Sequence, residues 1–205
     1  MKKLFSLLVL CVAAGSLFAQ VSNFEGTVTY SSNIAGTSMT SVVKSYYSLV
    51  TVNTATTKTV TQITAIKGGG TMIVEAGANK YYMPYTKTEI VQKQNAGGTH
   101  TIQYGTETKT IAGHLCKKAT VTVNGHVLVY WLASDINTGT PYIKNYIELV
   151  GFPLEFDYYN TAGTLITFTA TNISTATVAD SVFTISTTGY TLKSYDELEV
   201  INGGM

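Results

Sequence analysis

The chain has 205 residues, with thirteen lysines, no arginine, twelve acidic residues and a formal charge of +1. The charges are scattered, so there is no basic stripe for nucleic acid or an anionic membrane surface. Without arginine's planar fork, functions built on bidentate reading of phosphate, carboxylate or base edges are disfavoured.

Taken in chain order, residues 1–19 read as a signal peptide. Lys2 and Lys3 supply the positive start, Leu4 to Ala14 form a short apolar run, and Ser16-Leu17-Phe18-Ala19 leads to a cut after Ala19. Export to the periplasm is expected, leaving 20–205 as a single β-rich domain with formal charge −1. Cys11 raises the rival of an acylated lipoprotein, but it lies inside the apolar run, so an ordinary signal residue is the simpler reading. After cleavage only Cys116 remains, which excludes an intrachain disulfide. No second apolar run is long enough to span a membrane as a helix.

Thr, Val, Ile and Tyr dominate the rest, punctuated by Gly and Asn, which is strand composition. Phe24, Gly26, Val28 and Tyr30 alternate along a first strand. Residues 39–52 read as one long strand and 59–66 as another, stopped at Gly68-Gly69-Gly70. A hairpin is expected around Ala76-Gly77-Ala78-Asn79, and strands 89–94 and 99–104 flank Asn95 to Gly98. Asn124-Gly125 predicts a type I′ hairpin with a definite register: Val123 faces His126, Val121 faces Leu128, Ala119 faces Tyr130 and Lys117 faces Leu132. A helix capped by Thr140 with Pro141 in its first turn is expected to run to Val150. Phe152, Leu154, Phe156 and Tyr158 then alternate with Glu155 and Asp157. Leu165 to Ala170 and Val182 to Ser186 read as closing strands, and Tyr195 to Val200 as a helical turn or short strand.

Little of this carries catalytic chemistry. His114 and Cys116 share a strand face at a spacing that suits zinc, but the hairpin register puts His126 on the opposite face. Glu155 and Asp157 share a face, yet alternating outer-face charge explains them more simply than an acid–base pair. No nucleophile elbow, phosphate loop or zinc-protease motif occurs. No enzyme activity, metal or cofactor is expected. A small outer-membrane barrel is also disfavoured, because the chain ends Asn-Gly-Gly-Met without a terminal aromatic.

The runs TKTIAGHLCKKATVTVNG, VLVYWLASDI, ELVGFPLEFDY and DSVFTISTTGYTLKSYDEL, with the opening FEGTVTY, resemble an exported Bacteroidetes-type family of unknown function, the GLPGLI-like proteins. Ser186 stands where that family usually has proline. Such proteins are similar in fold to the periplasmic Lol lipoprotein carriers. The resemblance implies one strongly curved antiparallel sheet, an open or half barrel, with one or two short helices. The Lol carriers rely on an arginine that this chain lacks, which argues against lipoprotein shuttling itself. The expected function is a non-enzymatic periplasmic protein that binds an apolar or lipid-like ligand against Trp131, Phe152, Leu154 and Phe156. The alternative is a structural or protein-partner-binding component of the cell envelope.

Overall fold

The computed structural model describes residues 23–64, 69–86, 88–89, 99–138, 146, 148–160, 163–194 and 197–198. The expected signal peptide lies outside them. The described strands are β1 (Gly26–Ser32), β2 (Ser38–Lys44), β3 (Tyr47–Asn53), β4 (Thr57–Thr64), β5 (Gly69–Ala76), β6 (Asn79–Thr86), β7 (His100–Ile111), β8 (His114–Val123), β9 (His126–Ala133), β10 (Phe152–Tyr159), β11 (Leu165–Ser174) and β12 (Thr191–Leu192). They make one 12-stranded sheet in the order β12-β6-β5-β4-β3-β2-β1-β11-β10-β9-β8-β7, with β12 and β7 at its two edges. All neighbours are antiparallel except β12, which lies parallel to β6. The expected mainly-β, single-sheet architecture is therefore present.

Two up-and-down meanders, β1–β6 and β7–β11, join where β1 pairs with β11. Alternation decides which side of each strand is buried. Gly26, Val28 and Tyr30 turn inward with Met39, Ser41 and Val43 of β2, and this core face continues through Val74 and Met83. The opposite side carries Thr27, Thr29, Thr40 and Thr51, and is called here the threonine face.

Tyr30 ties the seam together. Its buried hydroxyl donates to the Pro153 carbonyl at 2.9 Å, across 123 residues of chain, and burial holds its phenol well above the ordinary value. Its ring meets Phe156 edge-on at 6.0 Å, and Phe156 in turn stacks on Tyr130 at 6.0 Å and leans on Phe168 at 5.6 Å. This aromatic group spans β1, β11, β10 and β9.

Several expected elements differ. The long strand over 39–52 is two strands, because Ser45 takes a φ of 50° and the chain reverses between Lys44 and Tyr47. Gly69 and Gly70 of the expected glycine break belong to β5. Gly70 lies so close to the Gln62 carbonyl that an added Cβ would collide with it, so the residue serves close strand approach rather than a turn. Thr88 and Glu89 are helical, and the rest of the strand expected over 89–94 lies outside the described residues. The Glu89 carboxylate accepts from Thr86 N–H at 2.6 Å while Thr86 Oγ1 accepts from Glu89 N–H at 3.3 Å, a capping box. The helix expected up to Val150 falls largely outside the described residues. Tyr146 and Glu148–Val150, which are described, form no helix. There Leu149 is buried against Ala119, Val121, Leu128 and Tyr130, and Tyr104 Oη accepts from Val150 N–H at 2.9 Å.

The segment expected as strand 182–186 is a strap. From β11 it crosses the threonine face of the first meander, and its Asp180–Phe183 portion is a 3-10 turn. Val178 N–H donates to Glu25 at 2.8 Å, Lys44 donates to the Val178 carbonyl at 2.6 Å, and Phe183 packs on Tyr47 at 5.4 Å. Tyr190 donates to Glu75 at 2.5 Å before β12 joins β6. The chain then turns through a capped Glu197–Leu198 step, and Leu198 is buried on Val74 and Met83.

Two stability effects follow from these contacts. Tyr30→Phe removes the buried hydrogen bond to the Pro153 carbonyl and is expected to cost about 1–2 kcal/mol in urea unfolding. Ser48 points a fully buried hydroxyl at no partner among the described residues, so Ser48→Ala is expected to stabilise by about 1 kcal/mol in the same assay.

Candidate functional site

The Asn124-Gly125 hairpin has the register expected from the sequence, with Asn124 and Gly125 at φ of 50° and 78°. That register builds a continuous row on the threonine face: Lys118 of β8, Trp131 of β9, Glu155 of β10, Thr169 of β11 and Ser31 of β1 lie side by side. The strap does not reach this far, and Trp131 stays half-buried.

Side chains from the edge strand complete the group. β7 carries an irregularity between Tyr104 and Thr108, beyond which Lys109 comes opposite Cys116. The sheet curls enough here for Lys109 to reach across two strands. Its ammonium lies 2.7 Å from each oxygen of Glu155 and 5.3 Å from the centroid of the Trp131 ring. Thr169 Oγ1 donates to Glu155 at 2.9 Å, and Lys118 pairs with Glu107 at 2.7 Å. The result is an indole framed by two lysine–carboxylate pairs, a surface able to hold polar and charged groups around one aromatic platform.

The four residues expected to line an apolar wall belong to or pack against one apolar cluster but do not share one face of the sheet. A bulge in β10 makes Leu154 the extra residue, so Phe152 pairs with Ala133 on the threonine face while Phe156 pairs with Tyr130 on the core face. The expected unbroken alternation from Phe152 to Tyr158 thus fails at Leu154. Phe152 is buried against Phe24 at 6.3 Å, Leu154 is wholly buried, and Phe156 lies in the aromatic group around Tyr30. Trp131 and Phe156 are both half-buried, and of the two only Trp131 lies on the threonine face. Glu155 was visible in the sequence as an outer-face charge. Lys109 was not, because the irregularity in β7 hides its register, and Gly105 within it is the one local sign. Asp157 serves the ladder itself. Its carboxylate accepts from Val129 N–H at 3.0 Å and Thr167 Oγ1 at 2.7 Å where the β9–β10 pairing lapses.

The Cys/His pair is also accounted for. His114 Nδ1 lies 2.8 Å from Asp135, while the Cys116 thiol donates weakly to the His114 carbonyl at 3.6 Å rather than meeting the imidazole. Burial, then the Asp135 charge, pushes the thiol up from 9.0 to about 11. A raised thiol disfavours the nucleophilic thiolate. The folded state holds this proton more tightly than the unfolded state. The stabilisation is therefore complete below about pH 9 and is lost as pH rises towards 11. Iodoacetamide is expected to leave Cys116 unmodified at pH 7.5 in the folded protein and to alkylate it fully in urea. Rapid labelling of the native protein contradicts this account.

No family model matches the chain, and no curated protein does. Among solved structures, two crystal forms of PNGF-II are similar. The C2 form gives a TM-score of 0.56 at 15% identity, covering 86% of this chain and 32% of that one. The P21 form gives 0.55 at 14% identity, covering 87% and 33%. This chain thus spans about a third of the length of the protein it resembles, and at such identity the likeness is one of fold.

Proposed function

We propose that the protein is a non-enzymatic, exported component of the cell envelope that binds a protein partner on the open threonine face of β8–β11, around Trp131. The observation that carries this reading is the fate of the four apolar residues. Phe152 and Leu154 are buried and the half-buried Phe156 is engaged by the rings of Tyr30, Tyr130 and Phe168, whereas Trp131, equally half-buried, stands among Lys109, Lys118, Glu107 and Glu155. An aromatic anchor within a charged rim suits a polypeptide surface better than an acyl chain. The secretory pattern of residues 1–19 and the resemblance to exported GLPGLI-like proteins support a periplasmic location. The fold's occurrence within the longer PNGF-II chain fits a module that works beside other protein surfaces.

The rival reading, a carrier of an apolar or lipid-like molecule, draws on the curl that brings Lys109 over to Glu155. The two separate experimentally. A photo-crosslinking residue at Val127, which is 55% exposed beside the site, is expected to trap one discrete envelope protein, while one at Thr188 traps none. Trp131→Ala is expected to lower the Val127 yield about tenfold or more. Saturable uptake of a fluorescent fatty acid, with no crosslinked partner from Val127, favours the carrier instead.

A further inference from the structure

We propose that Trp131, Glu155 and Thr169 form a binding site for a primary ammonium group, which Lys109 fills in the free protein and vacates for a ligand. The proposal rests on reading the open threonine face as the docking face, and it names what that face recognises. Three walls define the site. The indole face attracts a cation through its quadrupole. The Glu155 carboxylate, with its side chain only 17% exposed, offers both oxygens at 2.7 Å. Thr169 Oγ1, donating at 2.9 Å, fixes the orientation of that carboxylate.

The present occupant is built to leave. Lys109 comes from the sheet's edge strand, its side chain is 41% exposed, and most of β7 around it faces solvent. Holding its flexible four-carbon stem in one geometry costs rotamer entropy, which weakens its grip. Departure without replacement would strand a largely buried carboxylate, so whatever displaces Lys109 has to be a cation. A primary ammonium satisfies both demands, because it can lie over the ring and still donate to Glu155. A lysine side chain of a partner polypeptide and a small free amine share this chemistry.

The single tryptophan makes the test direct, since the protein has one indole N–H resonance. The Lys109→Ala protein is titrated with n-butylammonium chloride at constant ionic strength, following the indole Nε1–H shift in proton–nitrogen spectra. A saturable shift is expected. In wild-type protein the tethered lysine competes at millimolar effective concentration, so half-saturation is expected to need about tenfold more probe. Adding Glu155→Gln to Lys109→Ala is expected to abolish the response. A lysine tripeptide blocked at both ends, saturating earlier than butylammonium, identifies a polypeptide as the source; equal affinities identify a free amine. Lys109→Ser repeats the measurement should Lys109→Ala not fold. The proposal is overturned if neither variant gives a saturable shift, if the wild type responds equally well, or if neutral n-butanol reproduces the effect. Its failure is separable from that of the docking reading: loss of cation binding with an intact Val127 crosslink removes the ammonium site alone. Cation binding without any crosslink removes the partner.

Discussion

The seam between β1 and β11 is where the two meanders become one sheet, and the buried Tyr30 is its principal lock. Every other pairing in the sheet except that of β12 joins strands that are consecutive in the chain, which loop-closure entropy makes inexpensive. The β1–β11 pairing instead closes most of the chain, and the Tyr30 hydroxyl makes a second long-range tie, to Pro153. The ring must displace water from both meanders at once. It does so by entering an aromatic group whose members come from β9, β10 and β11. A sheet with such a seam is expected to assemble its local hairpins before it closes.

The same demand explains why the apolar residues of β10 do not all emerge on one face of the sheet. Its residues serve two sides because the extra residue at Leu154 switches the face on which the side chains emerge. Phe152 is released to pack with Phe24, Ala133 and Ile136, and Phe156 is kept for the seam. Glu155 is delivered to the threonine face beside Trp131, so one bulge both completes the core and builds the charged surface.

The strap draws the boundary of that surface. Lys44 and Glu25 hold its beginning, Phe183 its middle and Tyr190 its end, all over the first meander. The strap covers the threonine face there; over β8–β10 the same face buries Cys116, Ala133 and Phe152 and leaves Trp131 half-buried. With no arginine in the chain, lysines do the bridging, and among the described residues three lie over aromatic rings: Lys80 on Tyr190, Lys193 on Tyr81 and Lys109 on Trp131. Lysine's flexible stem suits contacts that exchange.

Local chemistry made much of the fold legible. Period-two alternation marked β1 and its buried face, and Asn-Gly specified the β8–β9 hairpin to the residue, because a type I′ turn admits only one register. Turns without such a signature were missed: Ser45 takes a positive φ with no glycine to announce it, so two strands read as one. The capped turn at Thr86 and the strap over 175–190 were misread for a related reason, since short apolar stretches are ambiguous until their partners are known. For the site, the residues themselves determined that Trp131 sits on a strand with Lys118 opposite, and that Glu155 points away from the core. That Lys109 lies over the indole, that Phe152 and Phe156 part company, and that the strap leaves this stretch uncovered were decided by the tertiary structure alone. Each depends on a bulge or a long-range crossing, and neither leaves a periodic trace in sequence. Both are settled by which surfaces must meet to exclude water.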